Sequence, residues 1–197
     1  MHSRTAPLTE ARIAEDPRAL LLMRAAAGDR MAFAHLARDL ARPSLAMAIH
    51  VLGDHAAAED CVQDAMTRLW RDGHRFDPAR GSFAGWWRRV LMNAALDSKR
   101  RLRPATALDE AMEVADSAAG PDRLAEGADI GRRVQAAAAV LPARQRAALL
   151  LFHGEGLSMA EIAETLETSE KAVEGLLGRA RTVMKGQLAA LMTEVNG

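Results

Sequence analysis

Two amphipathic helices separated by a short polar turn are encoded between Ser158 and Lys185. Ser158 and Glu161 have the S-x-x-E spacing of a capping box, which predicts that a helix starts at Ser158. Ser169 can cap a second helix, whose predicted inward positions are Val173, Leu177, Ala180 and Met184. A short helix, a tight turn and a longer helix with basic residues near its end are typical of a helix-turn-helix, whose second helix enters a DNA major groove. Many helical hairpins share this pattern, so the rest of the sequence is needed to tell whether it is a DNA-binding helix-turn-helix.

The composition favours an all-α protein. Alanine, leucine and arginine dominate, aromatic and β-branched residues are scarce, and no strand-like alternation is sustained. The single cysteine excludes an internal disulfide and fits a reducing cytoplasm. The longest strongly apolar run, near residues 147–152, is far shorter than the ~18 residues that span a bilayer, and no signal pattern opens the chain. We therefore expect a cytoplasmic protein with no membrane insertion.

Capping residues and helix breakers predict two small helical domains joined by a flexible acidic linker. Asp16-Pro17 can open the first helix, Pro43 is expected to break or bend the second, and Pro104 should stop a long helix that begins at Phe83. The predicted boundaries are a flexible N-terminal tail over 1–16, a first domain over 17–103, a linker over 104–129 and a second domain over 130–197.

The net charge of zero hides a strong asymmetry. From Trp86 to Pro104 there are six basic residues and one acid, whereas from Ala105 to Gly131 there are seven acids and one base. A surface of uniform neutral character would not separate its charges in this way. The basic segment therefore becomes a candidate nucleic-acid contact.

The long helix that begins at Phe83 is predicted to carry a basic stripe opposite an apolar face. On a helical wheel its polar residues Arg88, Arg89, Asn93, Lys99, Arg100 and Arg103 lie within ~140° of one another. Cations can neutralise phosphates, and aromatic rings near the helix start can stack on unpaired bases. The alternative is a solvated basic face above a core that holds the aromatic residues. Because Trp86 and Trp87 are adjacent, we expect only one of them to be fully buried.

A second candidate surface lies on the helix predicted between Asp54 and Asp72. Its polar side displays Glu59, Asp60, Gln63 and Asp64. This face can dock a basic protein partner or be ordinary solvated surface. Cys61 falls on the opposite, apolar stripe, which predicts a buried thiol. We find no metal-ligand spacing, no cofactor-binding loop and no nucleophile motif, so neither a metal, a cofactor nor an enzyme activity is expected.

Three stretches together resemble the extracytoplasmic-function (ECF) group of bacterial RNA polymerase sigma factors. Residues 58–70, AEDCVQDAMTRLW, resemble the stretch that binds the β′ clamp helices. Residues 81–101, GSFAGWWRRVLMNAALDSKRR, resemble the segment that melts and reads the promoter −10 element. Residues 141–151, LPARQRAALLL, and the helix-turn-helix resemble the domain that reads the −35 element. The resemblance implies a sigma region 2 bundle and a sigma region 4 helix-turn-helix domain.

The resemblance also implies partners and roles for individual residues. Core RNA polymerase would be bound through its β′ clamp helices and β flap, with Glu59, Asp60, Gln63 and Asp64 at the clamp. The −10 contacts would be Arg88, Arg89, Asn93, Asp97, Lys99, Arg100, Arg101 and Arg103, and the loop 74–82 would capture a flipped base. The −35 contacts would be Ser169, Lys171, Glu174, Gly175, Arg179, Arg181 and Lys185. Promoter DNA and an inhibitory anti-sigma factor complete the implied partners.

This chain departs from the family pattern at two places. Glu167 stands where the family often has a turn glycine, and residues 174–176, Glu-Gly-Leu, replace a common basic-small-basic triplet. Losing phosphate contacts should weaken −35 binding, whereas Glu174 could read a cytosine amino group or Leu176 a thymine methyl. A sigma-like decoy that binds only an anti-sigma factor is one alternative function. An ordinary helix-turn-helix repressor is another, although it would leave the first domain unexplained.

Overall fold

The computed structural model describes residues 16–102 and 134–195, and the described residues contain helices and no strands. This agrees with the predicted all-α class. Residues 1–15 of the predicted tail, Arg103, and the whole predicted linker 104–129 lie outside the described residues. The domain boundaries therefore stay predictions.

The first domain is a bundle of four helices. They are α1 (Pro17–Ala26), α2 (Arg30–Leu52), α3 (His55–Asp72) and α4 (Phe83–Leu102), with a 3-10 turn at Gly73–Arg75 after α3. An aspartate side chain precedes each of the first three helices and accepts hydrogen bonds from backbone N–H groups of the first turn: Asp16, Asp29 and Asp54. Ser82 Oγ accepts the Gly85 N–H at 3.1 Å at the start of α4. These caps satisfy backbone donors that a helix start leaves unpaired, which explains why the boundaries could be predicted.

Of the two effects expected of Pro43, a break or a bend in the second helix, the break does not occur, because α2 continues through Pro43 from Arg30 to Leu52. Pro43 lies on the exposed side of α2, where the carbonyl that loses its partner can turn to water. The helix is also fixed on both sides of the proline by buried residues, Leu36 and Leu40 before it and Ala48 and Val51 after it. Tertiary packing thus overrides the local preference.

The two adjacent tryptophans of α4 have different environments, as predicted. Trp87 is 6% exposed, and its indole N–H donates a hydrogen bond to Ser44 Oγ at 3.0 Å. Trp86 is half-buried and lies beside Phe76, with ring centroids 5.7 Å apart. The first ring therefore fastens α4 to α2, while the second lies at the edge of the core near the loop before α4.

The second domain contains the predicted helix-turn-helix. Helical residues 134–139 precede α5 (Ala143–Leu149), which ends in a π turn at Leu150–Gly154; α6 (Met159–Thr165) and α7 (Glu170–Val195) follow. The capping box of Ser158 and Glu161 is present in both directions, and Ser169 Oγ accepts the Ala172 N–H at 3.2 Å. Of the predicted inward positions of α7, three are buried and one is half-buried: Val173, Leu177, Ala180 and Met184.

The turn between α6 and α7 contains Glu167 with a φ of 50°, in the left-handed region. A residue with a side chain pays about 1–2 kcal/mol for this conformation, which explains why glycine is the usual choice there. The strain is retained in this chain, and the Glu167 carboxylate contacts the other domain.

The two domains pack against each other through a continuous apolar core. Leu91 of α4 and Ile162 of α6 belong to the same buried cluster, and α2 contacts α5 while α4 contacts α6. The helix pattern alone contains no signal for this arrangement. The packing of the two domains determines which side chains surround each candidate site.

Candidate polymerase and nucleic-acid interfaces

The acidic face of α3 is exposed as the sequence predicts. Glu59, Asp60, Gln63 and Asp64 are all exposed. Glu59 lies 3.6 Å from His55, and Asp64 Oδ2 accepts a hydrogen bond from the Arg101 guanidinium at 3.2 Å. A carboxylate of the predicted polymerase surface is therefore paired with a cation of the predicted DNA surface.

The C-terminal half of α4 forms an ion-pair network with α3. Asp97 lies 3.6 Å from the Arg68 guanidinium of α3 and also forms an ion pair with Arg100, one turn later on α4. Together with the contact between Asp64 and Arg101, these pairs join the two predicted surfaces along one edge of the bundle. Lys99 is half-buried beside this network. Asp97 thus positions Arg100 at the helix end.

The N-terminal half of the basic stripe is covered by carboxylates of the second domain. Arg88 lies 3.8 Å from Glu155, Arg89 donates to Glu164 at 3.3 Å, and Asn93 donates to Glu167 at 2.8 Å: three contacts that join residues far apart in sequence. This half of α4 is therefore partly covered, with its two arginines facing carboxylates of the second domain, although the contacts stay accessible to water. Exposed ion pairs contribute at most about 1 kcal/mol each. Each of these contacts therefore adds little to the stability of the packing between the two domains.

A cavity of about 490 Å³ lies where the loop before α4 meets the basic stripe. Its walls include the aromatic side chains Phe76 and Trp86 and the guanidinium groups of Arg88 and Arg89. The loop residues 75–77 and 80–82 complete this side of the cavity. Rings beside cations form a surface that can hold an unpaired base and its phosphate. The predicted base-capturing loop is therefore next to the predicted −10 cations.

Arg146 of α5 is an interdomain residue that the sequence analysis missed. It is 4% exposed, and its guanidinium donates to the carbonyl oxygens of Val51 at 2.7 Å, Leu52 at 3.2 Å and Ala139 at 2.8 Å. Val51 and Leu52 are the last residues of α2, where helix carbonyls lack internal partners and carry partial negative charge. A hydrogen bond to a charged donor contributes about 1.5–3 kcal/mol to stability, which is more than an exposed ion pair contributes. Only a three-dimensional arrangement could have revealed this role.

The candidate −35 surface on α7 is largely open. Five of its predicted residues are exposed: Lys171, Glu174, Arg179, Arg181 and Lys185. Arg181 lies over the Phe152 ring, 5.4 Å from its centroid. Gly175 is half-buried beneath the Arg179 side chain, while Ser169 is the N-cap of α7.

Of the two side chains considered as base readers on α7, the structure favours Glu174. Leu176 is half-buried and packs against the core, so it is not displayed as a contact for a thymine methyl group. Glu174 is exposed on the same helix. Its carboxylate remains available to accept from a base amino group.

Among the residues that the structure describes, the remaining titratable side chains form no metal centre. Throughout residues 16–102 and 134–190, no three His, Cys, Asp or Glu side chains are grouped so that they could hold a metal ion. Burial raises the pKa of the Cys61 thiol to about 11, in agreement with the predicted buried thiol. Within the described parts of the chain, no helix has the length and apolar character needed to cross a membrane.

Comparison with known families accounts for both domains. Residues 36–104 match sigma-70 region 2, and residues 131–184 match sigma-70, region 4. The first match covers most of α2, with α3 and α4, and the second covers the helix-turn-helix. Both regions appear in the order that the resemblance implied.

The similarity to relatives and to solved structures extends over most of the chain. The ECF RNA polymerase sigma factor SigM of Mycobacterium tuberculosis is 34% identical over 186 residues, which cover 92% of this chain and 90% of SigM. A structure of CnrH in complex with the cytosolic domain of CnrY is 28% identical, covers 89% of this chain and 99% of that chain, and superposes with a TM-score of 0.60.

RpoE from Bartonella quintana, solved with the anti-sigma factor NepR, is 22% identical, covers 75% of this chain and 91% of that chain, and has a TM-score of 0.55. At that identity the likeness supports the fold. Sigma factors are initiation factors rather than enzymes. On these matches, the chain belongs to the ECF RNA polymerase sigma factors, which direct promoter recognition and transcription initiation.

Proposed function

We propose that the acidic face of α3 binds the β′ clamp helices, that α4 binds the −10 element, and that α7 reads the −35 element while its domain contacts the β flap. The exposed carboxylate of Asp60 is available to a basic partner, whereas that of Asp64, also exposed, would exchange its contact with Arg101 for one with the partner. The exposed cations of α7 are spaced along one helix that is long enough to lie in a major groove.

The cavity beside α4 is the observation that carries the −10 assignment. Its first-domain side combines the rings of Phe76 and Trp86 with the guanidinium groups of Arg88 and Arg89, and its opposite side is formed by α6 of the second domain. A melted strand presents bases and phosphates together, so it needs both a stacking surface and cations. This combination is a better match to single-stranded DNA than to duplex DNA, because duplex bases are already stacked.

An anti-sigma factor is a further proposed partner, and the cytoplasm is the proposed location. The two similar solved structures have CnrY and NepR as partners. We expect the partner of this protein to bind both domains, because they already form a common core. The cytoplasm is where the polymerase and promoter DNA are found.

Run-off transcription with purified core polymerase and genomic promoter fragments tests this assignment. Asp64→Arg should abolish polymerase binding, because it places a cation in an acidic docking face. Asp39→Arg is the matched control, since Asp39 is an exposed acid on α2, outside the proposed interface. If Asp64→Arg supports transcription as well as the control does, the proposed polymerase surface is wrong.

A further inference from the structure

The acidic side of α6 occupies the space in front of the proposed −10 surface. Glu161, Glu164 and Thr165 of α6 line the same cavity as Arg88 and Arg89 of α4. Glu164 accepts a hydrogen bond from Arg89 at 3.3 Å. The carboxylates therefore meet the cations that would otherwise meet phosphates.

Two neighbouring contacts extend this cover along α4. Glu155 lies 3.8 Å from Arg88 at one end, and Glu167 accepts from the Asn93 amide at 2.8 Å at the other. Glu167 makes its contact from the left-handed turn conformation that a glycine would adopt more easily. A glycine at this position would have no side chain with which to reach Asn93.

Arg146 holds the two domains in the position that makes these contacts possible. Its guanidinium lies against Gly53, the left-handed residue that ends α2, and bonds the carbonyls of Val51 and Leu52. Arg146 is nearly fully buried, so separating the domains exposes a guanidinium and leaves two helix carbonyls to find water.

We infer that the second domain is an internal competitor for the −10 strand: in a closed form, the carboxylates of Glu155, Glu164 and Glu167 take the place of DNA phosphates on α4. This inference rests on the proposed function for the identity of the DNA face. The closed form itself rests on the contacts between the domains. Polymerase and promoter binding then require the domains to separate, which exposes the stripe.

The closed form combines weak, exposed ion pairs with a buried anchor, so a partner can open it. The Arg89 and Glu164 side chains are 37% and 68% exposed, so water and salt weaken their attraction. Arg146 and the apolar contacts supply an anchor that does not depend on salt in the same way. A partner that binds each separated domain more tightly than the closed pair will shift the population toward the open form.

Interdomain distance in the full-length protein tests the closed form without polymerase or DNA. Cysteines introduced at the exposed positions Arg38 and Gln187 can carry spin labels, while the buried Cys61, with its raised pKa, stays unlabelled. Glu164→Lys with Glu167→Lys should broaden the distance distribution toward longer values, and Arg146→Ala should do so further. Adding Arg89→Glu to this glutamate double variant restores one pair in reverse and should shift the distribution back toward the short distance.

The distance data have clear opposing outcomes. A distribution that stays unchanged in both the glutamate double variant and Arg146→Ala overturns the closed form. Should Arg146→Ala fail to fold, the glutamate variant and its charge-swapped counterpart decide the question alone, because these side chains are on the surface. Small-angle scattering at several concentrations separates opening from association between copies.

Binding to single-stranded DNA tests the competition. The probe is a fluorescein-labelled random-sequence strand of about 20 nucleotides, measured by anisotropy without polymerase. The glutamate double variant should bind about tenfold more tightly than the parent protein. The matched control is Asp39→Lys with Ala34→Lys and Ala41→Lys, which adds the same charge at exposed sites on α2, outside both proposed DNA surfaces.

An equal gain in the control overturns the competition, because it would reflect net charge alone. A variant whose domains separate but which binds the strand no better also overturns the competition. In that case the closed form stands and the proposed −10 surface is wrong. Failure of the proposed polymerase surface would leave both measurements unaffected.

Discussion

The two candidate DNA-binding helices differ in how much of their positive charge is already engaged. On α4, Arg88, Arg89, Arg100 and Arg101 all have carboxylate partners. On α7, no cation within the described side chains forms an ion pair, and Arg181 lies against an aromatic ring instead. The difference has a physical consequence: DNA can meet α7 directly, whereas on α4 it has to displace protein carboxylates first.

This contrast indicates that the two helices contribute to DNA binding in different ways. A helix whose cations are free can contribute to encounter with duplex DNA at once. A helix whose cations are paired contributes only after the partners have moved, so its contribution depends on conformation. If the proposed assignments hold, DNA binding by the −10 surface depends on the domain arrangement, whereas DNA binding by the −35 surface does not.

Charge reversal should have its largest effect on α4. We expect Arg88→Glu with Arg89→Glu to reduce run-off transcript by about 100-fold, equivalent to about 2.8 kcal/mol, because the melted strand loses both cations beside the aromatic cavity. Arg179→Glu with Arg181→Glu on α7 should reduce it by only about tenfold, because polymerase contacts also help to hold the second domain on the promoter. Circular dichroism checks that both variants remain folded. Equal losses would remove the proposed distinction between the two helices.

The recognition surface of α7 should gain affinity when its acid is replaced. Glu174→Lys is expected to tighten binding to a −35 duplex by about threefold to tenfold and to steepen its salt dependence by about one phosphate contact. The measurement is anisotropy over a series of salt concentrations. Gln187→Lys with Ala190→Lys, two exposed changes further along α7, is the matched control because it adds the same amount of charge. If Glu174 instead reads a base, the variant will lose discrimination among duplexes without a general gain.

The stability of α7 should respond to its internal glycines. A Cβ added to Gly178 meets open space, so Gly178→Ala should raise the free energy of unfolding by about 1 kcal/mol. Gly175→Ala should gain a similar amount, because its Cβ would make an ordinary contact, 3.4 Å from a guanidinium nitrogen at the movable end of Arg179. Chemical denaturation of the two variants measures both gains. A loss of stability in either variant would contradict the space that the structure shows at that position.

The smallest expected effect is on the acid stability of α6. Hydrogen bonds from the Ser158 side chain and then its backbone N–H lower the pKa of Glu161, so the folded state favours the carboxylate. The stabilisation is therefore present above the ordinary glutamate pKa of 4.5 and is lost as the pH falls below it. Thermal unfolding between pH 6 and pH 3 should show a shallower acid decline in Glu161→Gln than in the parent protein. Identical declines would contradict this role for the capping box.

The sequence was sufficient for the local structure and the family. Asp16, Asp54 and Ser158 each mark a helix start because their side chains accept backbone hydrogen bonds within a few residues, which is a signal readable from spacing. The same holds for the buried positions of α7, which follow the helical period. Pro43 shows the limit of this reasoning, because the packing on both sides of it outweighed its local preference.

The arrangement of the domains could not be predicted from local patterns. Arg89 and Glu164 are 75 residues apart, and both look like ordinary surface residues in a helical pattern. Arg146 also looks like a surface residue in the sequence. Its guanidinium has partners only because it lies opposite the end of α2 in the folded protein. Long-range contacts of this kind depend on the whole fold. The predicted roles of the individual interface residues, including Arg103 outside the described residues, stay predictions.

The placement of Arg146 has a consequence for the exchange of parts between related proteins. Since this side chain completes the end of a helix in the other domain, the two halves have to be inherited or engineered as a matched set. A chimera that receives its second domain from a relative without an arginine here would leave the Val51 and Leu52 carbonyls without that donor. Such a hybrid would retain both recognition surfaces yet differ in how readily it changes shape.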